Sequence, residues 1–401
     1  MDFLASKYTL DDFETGLANL PQKLDQVYRI ALERIANQGD FKRSLAISTL
    51  TWLVFAERPL VITELTHALA VRVGDRNLIE GRFVNEELLT SVCAGIVVVD
   101  PGTKAVRLAH FTAEEYLRDN QSTIFKDAQS NIAEICLVYL SFEEFGKVLT
   151  SQDEIADRRK RYPFLSYAAD HWGDHVSFRV KRNVYRLAWE FLSDPPKVMS
   201  AFQVMGNFRF RFEVDVTGLH LSAYFGLDKL AEKLLTRGFM MNARTRRGET
   251  ALHWAAFYGQ RRFLKVLVDQ GAELNVADDD GRTALHKAII NEDVASVELL
   301  LASAGRMELN LQDSRGWTGL RWAAAYGQMP VVEMLLRNKV EVDAQDKDGC
   351  KEHLVSYSTP LVPIFSYTSK MIMLLPTPLI GKLLTPGGSR DRFAVGSTKR
   401  P

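Results

Sequence analysis

A Leu-His pair recurs through the second half of the chain. It stands at Leu219-His220, Leu252-His253 and Leu285-His286, 33 residues apart, and Leu320-Arg321 follows 35 later. Gly248, Gly281, Gly316 and Gly349 keep the same beat, at 33, 35 and 33. A fixed period of this length means one small unit stacked on copies of itself, because a single unit cannot bury its own apolar face. The parts of the unit have mechanical reasons. The Gly takes a tight turn. The Thr ahead of Leu-His caps the first helix, a device worth about 1 kcal/mol. The His hydrogen-bonds across the turn and ties neighbouring units, again about 1 kcal/mol. Paired alanines (Ala255-Ala256, Ala323-Ala324) let inner helices stack closely, and Leu299-Leu300-Leu301 supplies a buried stripe on the second helix. Asn242, Asn275 and Asn310 close three units.

This pattern resembles the ankyrin repeat, with four units over roughly 212–345. Asp215 stands where the first unit's turn glycine belongs, and Arg321 replaces the fourth histidine. A two-residue excess falls around 302–307, between a second helix and the next turn, where insertion is tolerated. A fifth unit begins at Asp346-Lys-Asp-Gly349 and breaks, since Cys350-Lys-Glu-His-Leu354 has neither the Thr nor the alanine pair. Residues 350–401 hold six of the thirteen prolines and seven Lys or Arg against two acidic residues. They read as a disordered tail, or as a stretch where the reading frame leaves the array. Prolines and Lys370 interrupt the apolar run 360–384, against a membrane span.

The first half has no such repeat. Leu24, Val27, Tyr28, Ala31, Leu32 and Ile35 form a helical stripe that ends at Gly39. A helix over 41–56, a third over 63–70 with Thr63 as its cap, and a fourth over 86–94 precede a strand, turn and strand over 96–109. Three helices and a hairpin in that order read as a winged helix, with a further helix over 112–117. The fold expected is mainly α: a winged-helix domain and helical linker followed by a repeat solenoid. Lys plus Arg and Asp plus Glu are 50 each, so the net charge is zero, which argues against a chain-wide polyanion binder. Cys93, Cys136 and Cys350 lie far apart, in no zinc spacing, which fits a reducing cytoplasmic setting; Cys93 and Cys136 read as core. The start, with Lys7, Asp11 and Asp12, has no signal-peptide pattern.

Several stretches are similar to fungal NACHT proteins, which are NLR-like signalling NTPases. They are Leu20-Pro21, Trp52-Leu53 with Arg58-Pro59-Leu60, Ser91-Val-Cys-Ala-Gly95, 106–117, and Tyr162-Pro-Phe-Leu165 with His171-Trp172-Gly173 and His175. The resemblance covers roughly 1–180, and 212–349 for the repeats. It implies a helical segment (1–40) following an NTPase core, a winged helix (41–120), a helical linker (121–211), the ankyrin units (212–349) and the tail (350–401). The family's Walker A loop, whose amides cradle phosphate, is not in this sequence: Gly146-Lys147 precedes Val148 and Gly381-Lys382 precedes Leu383. The resemblance also implies a nucleotide-phosphate contact for His110, which here would require an NTPase core supplied by another chain or a full-length relative.

No catalytic constellation emerges, and no cofactor is expected. His171 and His175 have the i, i+4 spacing of metal ligands, but Trp172 stands where a metalloprotease carries its glutamate, so packing is the better reading. The winged helix's third helix, 85–93, is acidic and has no Arg or Lys, which opposes DNA docking. Residues 158–161, Arg-Arg-Lys-Arg, could serve nuclear import, but Asp153, Glu154 and Asp157 beside them favour a solvated helical face. The remaining surface is the array's turn tips and inner helices: Arg246, Arg247, Glu249, Phe257 and Tyr258, then Asp279, Asp280, Arg282, Ile290 and Asn291, then Ser314, Arg315, Trp317 and Tyr326. Arg with Tyr and Trp is the composition of interface hot spots, and Asp279-Asp280 among arginines suggests a partner of alternating charge. The function expected is non-enzymatic binding of a protein ligand, either within an NLR-like signalling or self/non-self recognition protein or as a stand-alone scaffold. A winged-helix DNA-binding regulator is the less favoured alternative, and no membrane partner is expected.

Overall fold

A computed structural model of the chain describes residues 20–177, 180–206, 215–342 and 344, with 353–356 and 372–375. The chain divides into two compact units, Met1–Phe212 and Glu213–Pro401.

In the first unit, α1 (Leu20–Ala36) and α2 (Asp40–Phe55) lead to α3 (Ile62–Ala70), α4 (Glu86–Val92) and the antiparallel hairpin β1 (Val97–Val99) and β2 (Val106–Leu108). Tyr28, Ala31 and Ile35 of the expected α1 stripe are buried, whereas Val27 is exposed. A bridge between Val61 and Ala105, closed by Ile62 N–H to Lys104 O and Val106 N–H to Leu60 O (2.9 Å each), adds a third short strand ahead of α3. This completes the winged helix. Thr63 is not the cap of α3. Val61 holds that position, and the Glu64 carboxylate, clamped by both Arg58 Nη atoms (2.7 and 2.8 Å), accepts the Val61 N–H at 3.0 Å. The fourth helix ends at Val92, two residues short of expectation, and Ala94 and Gly95 then take positive φ to reach the hairpin.

The chain continues through α5 (Phe111–Asp119), α6 (Gln121–Ile124), α7 (Ala128–Leu140), α8 (Gln152–Arg161), α9 (Phe164–Ser177), α10 (Arg182–Leu192) and α11 (Pro195–Val204). Tyr139, Phe142, Phe145, Phe164, Tyr167 and Trp172 are fully buried around α7 and α9. Trp52 of α2 meets Phe164 edge-on at 5.3 Å, so the winged helix and the later helices share one aromatic core. Cys93 and Cys136 are free and buried. His175 is buried, its Nε2 2.9 Å from the Tyr167 hydroxyl and its Nδ1 2.5 Å from Gln129 Oε1, while His171 meets Asp174 at 3.1 Å. Both imidazoles are spent on packing contacts, and α9 runs unbroken through Gly173.

The basic run of α8 corrects the reading of a solvated face. Arg158 is buried and reaches Ser200 Oγ (2.5 Å), Lys147 O (2.9 Å) and Glu144 O (3.4 Å), with its guanidinium over the Phe145 ring. Arg159 donates to Val204 O, and Arg161 meets Glu144. A guanidinium has five donors in a fixed fork, which suits it to gathering the carbonyls left by a 3₁₀ turn (Glu143–Gly146) and by the end of α11.

The second unit is a stack of helix pairs: α12 (Gly218–Phe225) with α13 (Asp228–Thr236), α14 (Ala251–Phe257) with α15 (Arg261–Asp269), α16 (Ala284–Ile290) with α17 (Val294–Leu301), and α18 (Gly319–Ala325) with α19 (Met329–Arg337). Thr217, Thr250 and Thr283 cap the inner helices, and His220, His253 and His286 complete each capping box by accepting the Thr N–H on Nδ1 (3.1–3.2 Å). That contact puts the proton on Nε2, which donates onward: His220 to Glu249 O (3.1 Å) and His253 to Arg282 O (3.0 Å), each in the next unit. In the fourth unit Thr318 Oγ1 accepts Arg321 N–H at 3.3 Å. On the opposite edge, Asn242, Asn275 and Asn310 each accept a backbone N–H one unit on, from Glu273, Glu308 and Glu341 (2.8–3.2 Å). The two-residue excess forms a 3₁₀ turn, Ala304–Arg306, whose Arg306 reaches back to Val268 O and Ala272 O. Gly248 and Gly281 have φ +72°, and a Cβ on Gly281 would lie 2.8 Å from Ser314 N, so the unit needs glycine there.

The broken fifth unit at 346–349 lies outside the described residues. So does most of the expected tail, in which His353–Ser356 pairs parallel with Ile372–Leu375. No described helix is long and apolar enough to cross a membrane.

Replacing Arg158 with Ala removes a buried guanidinium with its bonds to Ser200 Oγ, Lys147 O and Glu144 O, and the first unit should lose about 2–4 kcal/mol, read from the urea midpoint. A second expectation concerns pH. Burial lowers His175, His220 and His253 from 6.5 to about 4. The unfolded chain therefore takes up protons between 6.5 and 4 that the folded chain refuses. Stability should be full above about 6.5, fall as the pH drops toward 4, and lose this dependence below that. Melting from pH 7.5 to 4.5 checks it, and His253→Gln should flatten the slope.

Candidate protein-binding face

At two of the tip turns a leading Asp sets the geometry of the exposed face, where the tip before them has Thr245. Asp278 Oδ1 accepts Asp280 N–H (3.0 Å) and Arg282 N–H (2.8 Å), and Asp313 Oδ1 accepts Arg315 and Trp317 N–H (2.9 Å each). The second oxygen of each is left to face the residue that follows the His position. Asp278 Oδ2 meets Lys287 Nζ at 2.7 Å, and Asp313 Oδ2 accepts Trp322 Nε1 at 3.0 Å. One unit earlier, Trp254 Nε1 donates to Glu249 (3.0 Å), which also takes Lys287 Nζ at 2.8 Å. Trp254, Lys287 and Trp322 thus stand in register down the inner helices, buried, with their donors held by carboxylates. Burial pushes the Glu249 carboxyl up, but Lys287 and the Trp254 indole outweigh it and hold the group below its usual range. At Asp278 burial is likewise overcome by the Lys287 hydrogen bond and charge.

The expected binding residues therefore divide. Glu249 is spent inside this ladder. Arg282 is half-buried, with Nη1 3.3 Å from Asp280 and its guanidinium 5.5 Å over the Trp322 ring. Arg246 is exposed and pairs with Asp215 at 3.2 Å. These pairings correct the idea that tip charges await a partner of alternating charge, since much of that alternation is satisfied within the array. Trp317 is half-buried against Trp322, its centroid 4.9 Å away, with Arg321 over its ring. Tyr326 is half-buried and stacks on Trp322 at 5.6 Å. Arg247, Asp279, Asn291, Ser314 and Arg315 are exposed, and Arg315 lies 6.0 Å over Trp322.

Phe257 is 40% exposed, an unusual state for its ring, and its face lies 5.9 Å from the locked Lys287 ammonium. Tyr258 packs edge-on against it (5.1 Å) and against Tyr224 (4.6 Å). Ile290 is half-buried one unit on. Tyr224 was missed by sequence reasoning, although it lies 33 residues before Phe257 and 66 before Ile290. The inner-helix ends that carry these residues are pinned by Gln260 Nε2 to Tyr224 O (3.0 Å) and Gln328 Nε2 to Ile289 O (2.7 Å). The result is an apolar strip beside an internally neutralised charge ladder.

Two family models match the chain. The winged helix domain model of GPI inositol-deacylase covers residues 32–134, and an ankyrin-repeat model (three copies) covers 207–278 and 264–348. No curated protein matches the sequence. The stack is an ankyrin-repeat array, a non-catalytic type of module that generally binds protein partners, and it follows a winged helix in the same chain.

His110, away from the array, is exposed at the N-cap of α5. Its Nδ1 accepts Thr112 N–H at 3.3 Å and lies 2.8 Å from Thr112 Oγ1, which in turn meets the Tyr28 hydroxyl at 2.7 Å. This cap sets Nε2 as the protonated, donating nitrogen. Among the described residues, no group of three His, Cys, Asp or Glu side chains is placed to hold a metal ion.

Lys287→Met should leave Glu249 and Asp278 facing each other unpaired, and lower array stability by about 3 kcal/mol or more. The deficit relative to the parent chain should shrink between pH 7.5 and 5, because the orphaned carboxyls then take up protons more readily than in the unfolded chain. Adding Glu249→Gln should recover part of the loss, measured by chemical denaturation of all three variants.

Proposed function

We propose that the chain is the interaction and coupling part of an NLR-like signalling protein of the NACHT–ankyrin type, acting in the cytoplasm in surveillance or self/non-self recognition. The ankyrin face binds a protein ligand. The winged helix couples that event to an NTPase core, which this sequence, without a Walker A loop, does not itself supply. The observation that carries the binding role is Phe257, held open on a rigid face beside Tyr258 and Tyr224. Large aromatic rings kept in place by packing bind at little entropic cost, which is why such residues dominate interface energetics. His110 supports the coupling role: its donating Nε2 suits a phosphate oxygen of a nucleotide held by the partner core.

Two measurements test the proposal with the full chain. The chain alone should neither hydrolyse ATP nor retain ADP in a filter assay; turnover by the chain itself would overturn the coupling role. Proximity labelling in cells should give a set of neighbours that the Phe257→Ala/Tyr258→Ala variant loses at unchanged expression. An unchanged set would overturn the binding role.

A further inference from the structure

Each inner helix of the array turns into its outer helix through one residue at positive φ. Gly226 (+70°), Gly259 (+67°) and Gly327 (+66°) hold this position in the first, second and fourth units, and Glu292 (+57°) holds it in the third. A Cβ there is crowded by its own backbone, which glycine avoids. The residue across the stack adds a second cost. A Cβ on Gly226 would collide with the Gln260 carboxamide, whose Nε2 reaches Tyr224 O. Gln328 stands in the same relation to Glu292, once the two-residue excess is counted. Its Nε2 takes Ile289 O, one carbonyl further back along the helix, and its Oε1 is buried without a hydrogen bond. An unmet buried acceptor is a loss that packing does not recover.

Glu292 gives the fold nothing in return. Its side chain is exposed, and among the described residues no hydrogen bond or ion pair holds its carboxylate. Asp293 already stands at the N-cap of α17, and it binds the neighbouring Arg261 guanidinium at 2.6 Å. Arg282 pairs with Asp280, and Lys287 is locked between Glu249 and Asp278. The Glu292 carboxylate therefore stands open beside the exposed Asn291, at the inner-helix ends that carry Phe257, Tyr258 and Ile290. Strain kept where the fold draws no benefit from it marks a functional position.

Resting on the proposed binding role of the same face, we propose that Glu292 is a specificity-determining residue, and that the ligand is a protein segment that sets a Lys or Arg against it beside apolar contacts on Phe257 and Tyr258. Gly259 and Gly327, at the same position in the units on either side, carry no side chain to obstruct a long cationic one. The apolar strip fixes no register by itself, and a carboxylate in a row of glycines does, because only one placement of the ligand pairs its charge.

Glu292→Gly and Glu292→Gln in the full chain test it, with a random 12-residue peptide library displayed on phage as the probe. Glu292→Gly removes the strain, so the array should melt about 2–4 °C higher. A melting temperature that stays or falls would mean that the fold draws on the side chain, and would overturn the proposal. Peptides selected on the parent chain at about 50 mM salt should be enriched in Lys or Arg beside apolar residues. Glu292→Gln keeps the size of the side chain and removes its charge. It should weaken a selected synthetic peptide about three- to tenfold at 50 mM salt and less at 500 mM, where the ion pair is screened. Replacing the peptide's cation with Gln should cost a similar factor on the parent chain and little more on the variant, as for a direct pair. Selection without basic enrichment, no selection at all, or affinity indifferent to Glu292→Gln would each overturn the proposal. Any of these, with cellular neighbours still lost in Phe257→Ala/Tyr258→Ala, would leave the binding role standing and remove only the cation. Unchanged neighbours as well would remove both.

Discussion

In three of the four units one imidazole completes the cap of the inner helix, and in the first two it also ties the next unit. Nδ1 accepts the N–H of the capping threonine, and that single bond decides the tautomer, leaving Nε2–H to reach the backbone carbonyl 29 residues on. The local cap and the contact between units are thus one group in one protonation state. A protonated ring could not accept the Thr N–H, so charging it breaks the box first and, through lost orientation, the bridge. Since each unit contacts only its neighbours, there is no larger core to absorb that loss. In the second unit that bond holds Arg282 O of the next tip turn, the turn from which Asp278 reaches Lys287. The exposed face is downstream of a histidine that never touches it.

The repeat was legible because its determinants are local. Gly at positive φ, Thr as cap and His at N3 lie within six residues, and the period multiplies a weak signal by four. The order of helices and hairpin in the first unit was legible for a similar reason, since each element shows its own periodicity. What sequence reading could not reach were pairings across units. Glu249 and Lys287 are 38 residues apart, and nothing about either marks the other. Glu249 was read as a tip charge, and the burial that makes Lys287 its partner comes only from stacking. Arg158 failed for the same reason, with Ser200 42 residues away. Thr63 was misplaced as a cap because propensity favours it, whereas the bridge from Val61 to Ala105 sets where α3 starts and Glu64 then supplies the acceptor.

These errors have one direction. Charged residues were read as more available than they are. On a solenoid the tip side chains are long enough to satisfy each other first. Arg246 with Asp215, Arg282 with Asp280 and Lys287 with two carboxylates leave a face where shape and apolar contact count for more than charge. Affinity on such a face depends on rings that cannot move away, such as Phe257 braced by Tyr258 and Tyr224.

The fourth unit shows what the histidine does by lacking it. Arg321 cannot accept the Thr318 N–H, and a guanidinium has no tautomer to set. Its group lies over the Trp317 ring of its own unit, at 4.9 Å, and Thr318 caps the helix by accepting Arg321 N–H directly. The cap survives while its link to a bridging ring is gone. In exchange, three aromatic rings (Trp317, Trp322 and Tyr326) and three guanidinium groups (Arg282, Arg315 and Arg321) gather around one turn. Of the three, Arg315 is exposed, Arg282 is half-buried and paired with Asp280, and Arg321 is buried. The face changes at this point from apolar to aromatic with guanidinium groups stacked on its rings, while the helix pair that displays it is kept.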